Sequence, residues 1–329
     1  MIGGMRRPNH PCPAYVCILA LAALTALAQG CACCRSGKRT SPPSTRVDKA
    51  DYHGWKDALQ LSNPEAEVIV VPQIGRVMSF RRQGGENVFW EDRSLDGRTG
   101  DASGKEWVNF GGDKTWPAPE AEWGRYTGYQ QWMPPPAFDG LPADGRIDGQ
   151  AVVLTSPVDK FYGIQTERRI TLENNTLNIT TTYQRISGPP SKVGVWVITQ
   201  FKEPDAVLVP VRTNSVFTNG HLIFWNEPWP QLQREGQHLR ITRDPSKAHK
   251  MGSDADELVW VRANEICVVR APRVAGAEYP DQGASAEVYT NPDPKKYVEL
   301  EMLGPLSVLA TGAEISFTQS YTLSERYRP

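Results

Sequence analysis

Within thirteen residues, Gly111-Gly112-Asp113-Lys114-Thr115-Trp116-Pro117-Ala118-Pro119-Glu120-Ala121-Glu122-Trp123 combines a double glycine, an adjacent acid and base, two tryptophans and two prolines. A hydrophobic core has no need of that mixture. Glycine lets a backbone approach a ligand closely, proline stiffens a loop at small entropic cost, and indole faces stack on sugar C–H surfaces. The run reads as a rigid loop lining a carbohydrate site. Trp116 and Trp123, with Trp132 further along, would stack on the sugar, while Asp113, Lys114 and Glu120 bond its hydroxyls. The competing reading is a loop packed on its own tryptophans.

A second chemical candidate is Tyr297-Val298-Glu299-Leu300-Glu301-Met302. Strand alternation sends Val298, Leu300 and Met302 to one face and both glutamates to the other. That face looks either into solvent or into a cleft. Asp113, Glu120, Glu122, Asp139, Glu299 and Glu301 could also supply the carboxylate pair of a glycosidase, but spacing along a chain does not give their separation. The sequence holds no His-x-x-x-His and no calcium loop, so neither a metal nor a cofactor is expected.

The N-terminus points to the cell envelope. Arg6 and Arg7 precede an apolar stretch from Ala14 to Ala28, the form of a secretory signal and short for a membrane span. Leu27-Ala28-Gln29-Gly30-Cys31 resembles the lipobox of bacterial lipoproteins, which makes Cys31 the expected lipidation site, with Cys33 and Cys34 as alternatives. Residues 31–50, rich in Ser, Pro, Lys, Arg and Thr, read as a disordered tether. Residues 51–329 then form the folded domain. Cys267 stands alone in it and is expected to be a buried apolar residue. A net charge of -1 without a basic stripe argues against a nucleic-acid partner.

The elements that must position these residues are strands. Short β-rich runs recur from Glu67–Val71 to Glu314–Leu323, including Arg76–Phe80, Asn87–Trp90, Ile164–Leu172, Val193–Phe201, His221–Trp225 and Ala286–Thr290. No stretch holds a 3.6-residue period over three turns. An all-β, antiparallel sandwich of unusual size follows.

The order of a Val-rich strand, Gly75–Phe80, Gly84–Trp90, the Gly111–Trp123 block, Tyr297–Glu301 and a closing Gly312-Ala313-Glu314 resembles the galactose mutarotase (aldose epimerase) superfamily. Within it, the Gly-Gly-Asp-Lys-x-Trp-Pro-Ala-Pro block is similar to a bacterial lipoprotein branch. The resemblance covers residues 51–325 and implies a β-supersandwich holding a sugar on its concave face. It further implies a glutamate base, for which Glu301 or Glu299 is placed, and a histidine acid on a mid-chain strand. The comparable segment Val195–Phe201 has no histidine; it offers Gln200, which can bond a sugar but not give it a proton. Of the four histidines beyond the signal segment, His53 lies beside the tether and His238 and His249 stand in charged, loop-like surroundings; His221, opening the run His221–Trp225, is the candidate displaced acid, with Lys114 and Lys250 as other electrophiles. The expectation is an envelope-anchored sugar-binding protein, with an active epimerase as the alternative.

Overall fold

The computed structural model describes residues 44–325, apart from positions 104 and 226. The signal segment 1–30, Cys31 and the start of the tether lie outside the described residues. The sheet begins earlier than the composition suggests: Arg46–Tyr52 is already a strand, and Thr45 donates a hydrogen bond to the Leu172 carbonyl. A tether extending to residue 50 is therefore corrected at its C-terminal end.

Two antiparallel sheets pack face to face. The first runs in the order Arg46–Tyr52, Trp55–Ser62, Ala66–Val71, Arg76–Arg82, Asp113–Ala118, Ser191–Lys202, Tyr297–Leu303, Ala286–Thr290, His249–Ser253, Leu222–Trp225, with Ser307–Leu309 beside the Ser191 strand. The second is built around the long strands Ile164–Glu173, Thr176–Arg185 and Glu314–Glu325. Alternation along these strands explains the sandwich. Ile170, Leu172, Ile179, Tyr183, Tyr321 and Leu323 from the second sheet meet Val195, Val197, Val298, Leu300 and Met302 from the first. Cys267 is buried in the same core, as expected. The one α-helix among the described residues is short, Trp123–Thr127.

Three local expectations change. Asn87–Trp90 is not a strand; the Asn87 side chain instead accepts from Phe80 N and Phe89 N and donates to the Met78 carbonyl. His249, expected in a loop-like stretch, is fully buried on a strand, stacked on Trp229 and 3.1 Å from Asp244. Most consequentially, the Gly111–Trp123 block is not a loop at its start: Asp113–Ala118 is a strand inside the first sheet with every residue buried. Its proline is tolerated because the Arg76 strand meets it at a single pair, Val77 and Asp113, so beyond that pair only the Ser191 strand is alongside. The double glycine serves the chain itself. At Gly111 a Cβ would stand 2.1 Å from the Trp90 carbonyl oxygen, and at Gly112 2.5 Å from that of Val77.

Candidate active site

Register builds the site. On the Asp113 strand, Asp113 and Thr115 point between the sheets, where they meet Arg168 and Tyr183 of the second sheet. Lys114 and Trp116 therefore point to the outer face. The pairing carries that face across the sheet. Trp116 stands opposite Trp196, Lys114 opposite Ile198, Ile198 opposite Glu301, and Glu301 opposite Glu287. One row along, Gln200 faces Glu299, Glu299 faces Tyr289, Tyr289 faces Lys250, and Lys250 faces Trp225. Two rows of cross-strand neighbours thus bring acids, lysines and aromatics from distant parts of the chain onto one surface.

The charges interlock. Lys250 Nζ lies 2.7 Å from Glu287 Oε2 and 3.0 Å from Glu301 Oε2, and Trp196 Nε1 donates to the same Glu301 oxygen at 2.7 Å. Lys114 Nζ stands 3.7 Å from Glu299 Oε1, which accepts from Gln200 Nε2 at 2.7 Å. Both ammoniums also sit over indoles, Lys114 4.5 Å from the Trp116 ring centre and Lys250 4.6 Å from that of Trp196. Burial lowers the Lys114 pKa, against the pull of Glu299, and raises that of Glu299, against the pull of Lys114. Glu287 is pushed well above the carboxyl range by burial, Lys250 opposing. Burial also works against the charge on Lys250, but Glu287 and Glu301 outweigh it and hold that pKa well above the usual lysine value.

A cavity of about 370 Å³ opens over this surface. Trp107, Trp116, Trp132, Trp196 and Trp225 wall it, and Glu120, Lys250, Tyr289, Tyr297 and Glu299 supply its polar edge. Trp132 is the exposed rim, 47% accessible, with its ring centre 5.2 Å from that of Trp107 and 5.7 Å from that of Trp116. Asp139 sets Trp116 in place, accepting from its Nε1 at 2.9 Å and from the buried Arg76 at 2.8 Å. A larger groove of about 930 Å³ lies elsewhere, among residues 211–239. Among the described residues it has no interlocked acid and base, so the smaller cleft is the better candidate for chemistry.

Of the residues singled out in the sequence, Lys114, Trp116, Glu120, Trp132, Gln200, Glu299 and Glu301 come together on this face. Glu299 borders the cavity, whereas Glu301 lies beneath it, 1% exposed and held by Trp196 and Lys250. Three are placed elsewhere. Asp113 is buried between the sheets, paired with Arg168 and accepting from Thr199 and Tyr321. Trp123 packs behind the cleft, donating to the Pro117 carbonyl at 2.7 Å. His221 borders the larger groove, bonded to the Asn219 carbonyl, just before the Leu222–Trp225 strand. Sequence reasoning passed over Glu287, Tyr289, Trp107, Trp196 and Trp225. For Glu287 and Tyr289 the sign was present: alternation in Ala286–Thr290 puts both opposite Val288, as it does for the glutamates of the neighbouring strand.

No protein-family model and no curated protein matches the chain. Solved structures do match in fold. A galactose mutarotase-like protein from Lactobacillus casei superposes with a TM-score of 0.56 at 10% identity, covering 81% of this chain and 100% of that one. One from Clostridium acetobutylicum gives 0.54 at 9% identity, over 86% and 99%. A galactose mutarotase related enzyme from Lactobacillus acidophilus gives 0.51 at 11% identity, over 82% and 98%. The chain has the galactose mutarotase-like β-sandwich fold, the class expected from its strand pattern.

Proposed function

We propose that this protein binds a carbohydrate in the tryptophan-walled cleft. The observation that carries the reading is the joining of that wall to the polar edge of Glu120, Lys250, Tyr289, Tyr297 and Glu299; behind it lie two buried polar atoms without hydrogen-bond partners, Lys114 Nζ over the Trp116 ring and Gln200 Oε1 beside Glu299. A buried donor or acceptor left unsatisfied costs about 1–3 kcal/mol. Sugar hydroxyls both donate and accept, and so answer a lysine and an amide oxygen alike. The neighbouring structures' names, galactose mutarotase-like among them, point the same way.

A second reading, catalysed ring opening, is favoured by the Lys114–Glu299 pair. Mutarotation needs a base for the anomeric hydroxyl and an acid for the ring oxygen. Glu299 borders the cleft and would be the base; Lys114, its pKa lowered by burial, would take the histidine's task. Proton exchange spectroscopy with free hexoses and pentoses separates the readings. Line broadening reports binding. Cross-peaks between α and β anomers, lost in Glu299→Gln, report turnover, and neither effect with any sugar removes both.

We also propose that the protein is lipid-anchored at Cys31 in a bacterial envelope. The support is the sequence of residues 14–31, which lies outside the described residues. Cys31→Ser is expected to move the protein from the membrane fraction to the soluble fraction; retention in the membrane would reject Cys31 as the lipidated residue, and retention after Cys33 and Cys34 are also replaced by serine would reject the lipid anchor.

A further inference from the structure

The aromatic lining of the proposed sugar cleft falls into two sets. Trp107, Trp116 and Trp132 form one, with ring centres 5.2 Å to 6.3 Å apart. Trp225 and Tyr289, 6.0 Å apart, form the other. Both sets line the same cavity, yet among the described residues no ring of one touches a ring of the other.

Topology keeps them apart. Trp116 stands on the Asp113–Ala118 strand and Trp225 on the Leu222–Trp225 strand at the sheet's edge, with the Ser191, Tyr297, Ala286 and His249 strands between. Five inter-strand spacings of about 4.8 Å make roughly 24 Å along the sheet. The side chains reach inward from both ends and shorten that span. Glu299, on an intervening strand, borders the cavity between the two sets.

Exposure is an independent observation. Of the ten tryptophans, only Trp132 and Trp225 are exposed among the described residues, at 47% and 41%, and one belongs to each set. An indole left in water forgoes about 25 cal/mol for every Å² of apolar surface it could have buried. Isolated exposed apolar residues need no explanation. Two tryptophans on separate rims of one cleft do.

We propose that the ligand is an oligosaccharide lying across the strands, with one sugar unit stacked on Trp132, another on Trp225, and hydroxyls between them bonded by Glu299. The inference rests on the sugar-binding reading and sets the ligand's length. The enclosed cavity of about 370 Å³ is near the small end of the usual range of about 300–1,000 Å³ for ligand sites. The outer units would therefore sit at the rims, each covering an indole that is otherwise open to water.

Titration calorimetry of the intact protein with glucose, maltotriose and cellotriose, and with N-acetylglucosamine and chitotriose, tests this. In at least one series the trimer is expected to bind about tenfold or more tightly than the single sugar. Trp225→Ala should cut that ratio to under about threefold, while Trp225→Phe, which keeps a stacking ring, holds most of it. Urea midpoints of both variants check that they fold. Single sugars that bind as tightly as their trimers, a trimer gain undiminished in Trp225→Ala, or equal loss in both variants overturns the inference and leaves the sugar-binding reading intact. Silence from every sugar overturns both.

Discussion

Lys250→Met removes one charge from the floor of the cleft while nearly keeping the side chain's length. In the intact protein its ammonium is shared by Glu287 at 2.7 Å and Glu301 at 3.0 Å, all three groups being largely or fully buried. Two oxygens that close to one nitrogen lie within about 6 Å of each other. At an effective dielectric of about 20, the repulsion between two unit charges at that separation is roughly 3 kcal/mol. Breaking a buried ion pair also leaves charge uncompensated, and the whole loss is expected at about 3–5 kcal/mol. Protonation relieves it. Burial already raises the Glu287 pKa above its ordinary 4.5, and loss of the opposing lysine raises it further. A carboxyl whose folded pKa exceeds its unfolded value binds more protons in the native state, so stability falls as pH climbs from the unfolded value through the folded one. The variant's deficit is therefore smallest near the ordinary carboxyl pKa and grows as pH climbs above it. Urea unfolding of the variant and the parent across that range measures it directly. A deficit under about 1 kcal/mol at the alkaline end, or one that does not change with pH, would refute the shared-ammonium account.

Trp132→Ala, at the exposed rim, is expected to weaken sugar binding about tenfold or more while shifting stability by less than about 0.5 kcal/mol, read by calorimetric titration and by urea midpoints. Asp113→Asn should do the reverse. It strands Arg168 between the sheets and costs about 3–5 kcal/mol in unfolding experiments, with sugar affinity unchanged in the folded fraction. His221→Ala is expected to leave both sugar affinity and any anomer exchange unaltered, because the side chain borders the other groove; a loss of either would reopen it as a participant.

The two faces of a strand were legible wherever alternation was clean. Val298, Leu300 and Met302 against Glu299 and Glu301 is such a case, and the structure keeps that division. The class of fold follows from many strands of that kind. What stayed hidden was the Asp113 strand. Its composition of glycine, proline and charge is that of a loop, and only tertiary placement makes it a strand: a crowded approach at Gly111 and Gly112, and one unpaired side that admits Pro117. Taking it as a loop let Asp113 and Lys114 pass as neighbours in one site. As a strand it separates them, one to the interior and Arg168, the other to the cleft and Glu299.

Glu287, Glu301 and Lys250 lie on three strands, and no spacing along the chain relates them. Their meeting depends on the register between the Ala286, Tyr297 and His249 strands. A slip of one residue in any of these pairings would turn one partner's side chains to the core face and leave a buried charge alone. The hydrophobic residues that alternate with them, Val288, Leu300 and Met251, fix the register by their own burial. The core therefore specifies the cleft. Ordinary valine, leucine and methionine positions decide which acids share a lysine, so a change to the register-setting core would be felt in the charge network before it was felt in the fold.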